Sequence, residues 1–202
     1  MIVHQLFPEP VYVSTIGRAL TKKELKTINK HKKETYKNQG NITSKDNYVL
    51  ENKTLKNLKK DLHTKVMDYF DKVICTDNLI TPYITQSWIN YTETNQSHHP
   101  HFHYNSYVSG VFYIAAKEEV DQITFYRPGE KTFELSVTQH NEFNSPSWKS
   151  SVQTGDVVLF PSSLHHGVQN KKGPDTRISL SFNVFIKGKI GNKNSLTELV
   201  LE

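Results

Sequence analysis

The strongest constraint on the fold is the run from Arg177 to Phe185, where Arg177, Ser179, Ser181 and Asn183 alternate with Ile178, Leu180, Phe182 and Val184. Extended chain points successive side chains to opposite sides, so this segment reads as a strand with one polar and one apolar face. Such a strand needs two different surroundings. An outer sheet would offer solvent to the polar face, whereas a small barrel or jelly roll would offer its interior, with helices covering the apolar face. In the second arrangement Arg177 points inward. A guanidinium there is costly unless it meets an anion, which makes Arg177 a candidate for holding a carboxylate.

Helices able to cover such a sheet are present. Thr21 and Glu24 stand at capping-box spacing and open a helix expected to run through about Tyr36, with Leu25 and Ile28 inward. Leu55, Leu58, Leu62, Val66, Phe70 and Val73 recur every three or four positions among charged residues, the period of a second, amphipathic helix. Residues 37–51 read as loop, and residues 2–13 as an extended opening restricted by Pro8 and Pro10. From Ile80 the period changes to two. Strands are expected over Ile84–Tyr91, from His98 through Ala116, and over Ile123–Tyr126, Val157–Phe160 and Arg177–Phe185. Phe133, Leu135 and Val137 also alternate, ahead of a polar loop containing Pro146 and Trp148. The fold class is therefore mainly β with flanking helices. No repeat or linker divides the 202 residues, so a single domain is expected. Residues 1–79 would supply an N-terminal strand and supporting helices, 80–190 the core with its site, and 191–202 a tail.

Charge adds little. The net +5 comes mostly from lysines between Lys22 and Lys33 and between Lys53 and Lys72, where they occupy the polar faces of the two helices. Basic and aromatic residues do not interleave as a nucleic-acid stacking platform requires, so that partner is not expected. No segment approaches the roughly 18 apolar residues of a membrane-spanning helix. The N-terminus has no secretory pattern, and Cys75 stands alone, which suits a reducing cytoplasm. The sequence leaves an oligomer open.

Chemistry concentrates in the histidines. His98, His99, His101 and His103 are four of the chain's ten, packed into six residues. In extended chain His101 and His103 share a face, the spacing of a two-imidazole metal grip. His165 and His166 follow the strand pattern at Asp156–Phe160 and can supply a third ligand from across a sheet. Taken singly, each is a surface histidine in a polar loop; taken together, they point to a metal.

His101 and His103, followed by Ser109–Ile114, Gly155–Ser162, Leu164–Val168 and Arg177–Asn183, resemble the iron(II)- and 2-oxoglutarate-dependent oxygenases of bacteria and their phages, distant relatives of the prolyl hydroxylases. The resemblance spans about residues 84–190. It implies a double-stranded β-helix, a cupin-like jelly roll with helices on its larger sheet. It places the metal ligands at His101, His103 and His166, the last chosen over His165, with Fe(2+) as the metal and 2-oxoglutarate as cosubstrate. Arg177 would grip the far carboxylate of 2-oxoglutarate, aided by Tyr113 and Ser181, with Asn90, Asn105 and Asn183 as further cosubstrate-side candidates. Most of the wider superfamily has a carboxylate where this chain has His103, so three neutral imidazoles would leave iron(II) its full double charge.

The activity implied is a dioxygenase that takes dioxygen, 2-oxoglutarate and an unidentified protein or small-molecule substrate, hydroxylates the substrate and releases succinate and CO2. Two other readings remain. One is a non-catalytic metal-binding jelly roll; the other is a cupin-like three-histidine dioxygenase that uses no 2-oxoglutarate, for which Arg177 would have no purpose. Substrate contacts are expected from the loops at Tyr104–Tyr107 and Glu130–Ser151.

Overall fold

The computed structural model describes residues 1–129 and 135–202. Its elements are β1 Tyr12–Thr15, α1 Lys22–His31, β2 Thr35–Lys37, β3 Ile42–Ser44, α2 Lys56–Tyr69, β4 Ile80–Thr92, β5 His98–His101, β6 Val108–Ala115, β7 Gln122–Tyr126, β8 Ser147–Ser151, β9 Asp156–Pro161, β10 His166–Val168, β11 Arg177–Ile190 and β12 Leu199–Leu201. The larger sheet runs β1-β9-β6-β11-β4-β3-β2, with β12 added to the end of β11, and the smaller runs β5-β10-β7-β8. The paired strands within both sheets are antiparallel. From β4 to β7 and again from β8 to β11 the chain alternates between the sheets, the weave of a double-stranded β-helix.

The two-faced strand lies at the centre of the larger sheet, between β6 and β4. Leu180, Phe182, Val184 and Ile186 pack with Leu55, Leu58, Leu62 and Val66 of the helical layer. Each such fully buried aliphatic side chain contributes about 1.5–3 kcal/mol. Between the sheets lies a second cluster of Val111, Tyr113, Ile123, Phe125, Val158, Phe160 and Leu164. Strand β6 serves both: Phe112 and Ile114 face the helices, Val111 and Tyr113 the interior. Gly110 is required on the helix side, because a Cβ there would sit 2.2 Å from the Phe182 ring.

The helical layer is pinned by charge. Thr21 Oγ1 accepts from the Glu24 backbone N–H, and the Glu24 carboxylate accepts from the Thr21 N–H, completing the capping box. Arg18 clamps both Glu24 oxygens at 2.9 and 2.8 Å and reaches Asp61 of α2 at 2.7 Å, joining the helices. The Arg18 guanidinium holds the Glu24 carboxyl down to about 2.

Several boundaries differ from the sequence reading. Helix α1 stops at His31, because Thr35–Lys37 pairs with Ile42–Ser44 as a small hairpin whose second strand joins β4, so part of the expected loop is sheet. The histidine stretch is two strands, β5 and β6, joined by a turn in which Asn105 has φ 52°. Trp148 is in β8, paired with Phe125, and the expected tail contains β12. Leu135 and Val137 are exposed and outside any strand, and Phe133 lies outside the described residues. Among the described residues, no helix is long and apolar enough to cross a membrane.

Candidate metal and cosubstrate site

β5 and β10 are neighbours in the smaller sheet, with His101 directly opposite His166. His103 follows two residues after β5, its backbone N–H donating to the Ser162 carbonyl at 3.0 Å. Ligand atoms of His101, His103 and His166 all lie within 4.8 Å of one another. His165 is exposed and lies tilted against Phe102, with ring centroids 4.8 Å apart, whereas the neighbouring His166 is buried. One peptide unit thus separates an outward imidazole from an inward one.

Hydrogen bonds set which nitrogen each ring presents. His101 Nδ1 is 2.7 Å from the His99 carbonyl and His166 Nδ1 is 3.0 Å from the Leu164 carbonyl. A carbonyl only accepts, so both rings carry their proton on Nδ1 and leave Nε2 as a lone pair. His103 reaches the same state through hydroxyls. Ser106 Oγ donates to the Val108 carbonyl, Ser162 Oγ donates to Ser106, and Ser109 Oγ lies 2.9 Å from Ser162. With Ser162 spending its hydrogen on Ser106, Ser109 must donate to Ser162. Ser109 therefore accepts from His103 Nδ1 at 2.9 Å, and Asn183 Oδ1 accepts from the same N–H at 2.7 Å. Three Nε2 lone pairs remain for a metal, each imidazole oriented by its other nitrogen, as metal-binding histidines require.

The rings are neutral as well as oriented. Burial pushes His166 down to about 2 and His103 to about 4, each reinforced by neighbouring imidazoles, and lowers His101. Trp88 and Phe160 wall the trio, 5.5 Å from the His103 ring and 4.6 Å from the His166 ring respectively.

The polar face of β11 leads away from this trio. Asn183 touches His103, Ser181 accepts from Asn90 Nδ2 at 3.0 Å, and Arg177 ends the row. Asn90 is itself held by Thr43, whose hydroxyl donates to it at 2.9 Å. Arg177 is 3% exposed, and its guanidinium lies 5.0 Å from the Tyr113 ring centre. Its Nε has no hydrogen-bond partner; neither have the buried hydroxyls of Tyr113 and of Thr92, the residue directly opposite Arg177 on β4. Burial raises the Tyr113 pKa, against the pull of the Arg177 charge, so this hydroxyl is a donor. Among the described residues no carboxylate forms an ion pair with Arg177. Two buried hydroxyls beside the Nε of a guanidinium with no carboxylate partner make a set of donors whose chemistry fits a carboxylate.

Residues 86–183 match the family described as "Putative 2OG-Fe(II) oxygenase". This segment belongs to that family. The oxygenase fold is shared with solved structures at low identity. HygX from Streptomyces hygroscopicus, with nickel, 2-oxoglutarate and hygromycin B bound, is 13% identical, with 87% of this chain and 82% of that one covered and a TM-score of 0.58. A prolyl hydroxylase from Trichoplax adhaerens, in complex with a peptide of hypoxia inducible factor, is 12% identical over 87% and 83% of the two chains, with a TM-score of 0.58. The epimerase SnoN, in complex with Fe3+, alpha ketoglutarate and nogalamycin RO, is 10% identical over 95% and 86%, with a TM-score of 0.61. Among curated proteins, none matches this chain by sequence. The chain is accordingly an iron- and 2-oxoglutarate-dependent oxygenase, and its histidine trio is able to hold the iron.

Of the residues singled out from sequence, the structure brings together His101, His103, His166 and Asn183 at one end, and Arg177 and Tyr113 at the other. Asn90 and Ser181 lie between them, bonded to each other. Asn105 stands apart from both groups: it is exposed in the β5–β6 turn, and its left-handed backbone, which asparagine tolerates, accounts for the residue type. Sequence reasoning missed Thr92, Ser106, Ser109 and Ser162. The inward alternation of Ser109 with Val111 and Tyr113 was the one available signal.

Proposed function

We propose that His101, His103 and His166 hold the iron(II) of this oxygenase, that Arg177, Tyr113 and Thr92 bind the far carboxylate of 2-oxoglutarate, and that the product is a hydroxylated substrate. The observation that carries the reading is one interior strand linking both halves, with Asn183 on a ligand histidine and the unpaired Arg177 guanidinium at its start. Iron and 2-oxoglutarate, when bound, supply oxidative decarboxylation to succinate and CO2, with one oxygen atom of dioxygen passing to the substrate. The chain's own residues orient and shield. Ser109, Asn183 and the His99 and Leu164 carbonyls hold the proton of each ring on Nδ1 and leave three Nε2 lone pairs for the metal. The Arg177 fork matches a carboxylate in two parallel bonds, and burial among apolar side chains strengthens them.

A cavity of about 700 Å3 lies between the N-terminal segment and the smaller sheet, lined by Phe7, Phe125, Arg127, Phe143, Trp148 and Leu164, among others. None of the three histidines lines this cavity; it adjoins them through Leu164, whose carbonyl orients His166, and that contact supports assigning it to substrate. The lone, exposed Cys75 suits a cytoplasmic setting. The test incubates anaerobically purified, iron-loaded protein with 2-oxoglutarate and oxygen and quantifies succinate, with His101→Ala as baseline. Failure to bind 2-oxoglutarate, together with no succinate above that baseline, would overturn the assignment.

A further inference from the structure

A second group of three imidazoles adjoins the first. Ligand atoms of His98, His99 and His101 also lie within 4.8 Å of one another. The His98 ring stacks on His101 with centroids 4.4 Å apart, and His99 lies 4.9 Å from His101 and 5.3 Å from His98. Nothing in the iron site uses His98 or the His99 ring. His99 contributes only its backbone carbonyl there, and its own Nδ1 is buried without a partner. An orphaned ring nitrogen in a protein interior is a cost that a ligand removes.

His98 is also a lone-pair bearer. Asn38 Oδ1 accepts from the Gln39 N–H at 2.8 Å, which turns the Asn38 amide so that its Nδ2 donates to His98 Nε2 at 3.2 Å. That single long bond is what an ion would displace. The trio contains nitrogen donors only, with no carboxylate or thiolate. Neutral imidazole suits iron(II), nickel, copper and zinc, of which zinc binds such a donor set more tightly than iron(II), and is a poor match for magnesium or calcium.

We propose that His98, His99 and His101 form a second site for a borderline divalent ion, zinc in particular, which shares His101 with the iron trio and therefore excludes iron when filled. The exclusion follows from valence: His101 Nδ1 is committed to the His99 carbonyl, so its one remaining lone pair serves one ion at a time. Zinc in the second position leaves His103 and His166 as a two-imidazole remnant. The site thus reads out metal supply, idling the chain where zinc outcompetes iron.

The experiment loads the metal-free 202-residue chain with zinc, removes the excess and measures zinc per chain by elemental analysis, with circular dichroism as the folding control. Wild type is expected to hold about one ion, and so are His99→Ala, His103→Ala and His166→Ala, because each single variant keeps one trio whole. Zinc should be lost from His101→Ala and from the double variants His99→Ala/His103→Ala and His99→Ala/His166→Ala, which retain only pairs of imidazoles. Two different routes, through His103 and through His166, guard against one variant failing to fold. Loss of zinc from both His103→Ala and His166→Ala, as complete as in His101→Ala, would overturn the second site; two zinc ions in wild type would overturn the sharing. Absence of succinate formation would sink the iron assignment and leave these zinc results standing.

Discussion

Replacing Arg177 by methionine tests the cosubstrate half of the site in two opposite directions. In the ligand-free protein Arg177 is a buried cation with an unbonded Nε and no carboxylate partner. Its removal deletes a desolvation cost, and exchanging buried charge for apolar volume stabilises proteins by about 1–4 kcal/mol in favourable cases. In a chain of this size each kcal/mol moves Tm by roughly 2–4 °C. Arg177→Met is therefore expected to melt at least about 2 °C higher than wild type without ligand. Cosubstrate binding should go the other way. Losing a buried charge-assisted carboxylate contact costs about 2–5 kcal/mol, a loss of about 30-fold to several thousand-fold in affinity. Arg177→Lys should fall between, keeping the charge but not the two-pronged geometry. Scanning calorimetry with and without 2-oxoglutarate, on anaerobic iron-loaded protein, reads both effects. A 2-oxoglutarate-induced rise in Tm preserved in Arg177→Met would refute the argument, as would a variant that is less stable than wild type yet binds normally.

Three further outcomes are expected. Asn183→Ala removes one of two acceptors from His103 Nδ1 and should weaken iron binding about 10- to 100-fold in a chelator competition; unchanged affinity would show that Ser109 alone orients the ring. Gly110→Ala should lower stability by about 1–3 kcal/mol in urea unfolding, since its Cβ would meet the Phe182 ring at 2.2 Å in a filled core; a neutral result would mean that Phe182 has room to move. Because Arg18 holds the Glu24 carboxyl down to about 2 against an ordinary 4.5, its contribution to stability is complete above about pH 4.5 and disappears as the pH falls towards 2. Glu24→Gln should flatten the acid limb of the stability curve over that window, and an unchanged limb would mean that other carboxylates control it.

What the sequence by itself determined is whatever depends on period and spacing. The alternation of Arg177–Val184 placed an inward polar row and an outward apolar row on one strand, because side-chain direction in extended chain follows from parity alone. The Leu55–Val73 repeat marked a helix that had to cover a sheet, and the paired histidine clusters marked a group of imidazoles able to hold a metal. Tertiary structure decided what depends on partners distant in sequence. The β2–β3 hairpin exists because β3 finds β4, against a local pattern of loop residues. Trp148 becomes a strand residue only opposite Phe125. That His166 turns inward and His165 outward reflects the register of β10 against β5, which histidine spacing cannot encode. The proton position on His103 rests on Asn183, 80 residues away, and on Ser109 through Ser162, whereas His101 and His166 are set by carbonyls two residues away; Thr92 gains its meaning only by standing opposite Arg177. Composition and period are local properties of a chain. An orphaned donor is a property of a closed interior, and it becomes visible only once folding has removed water from around it.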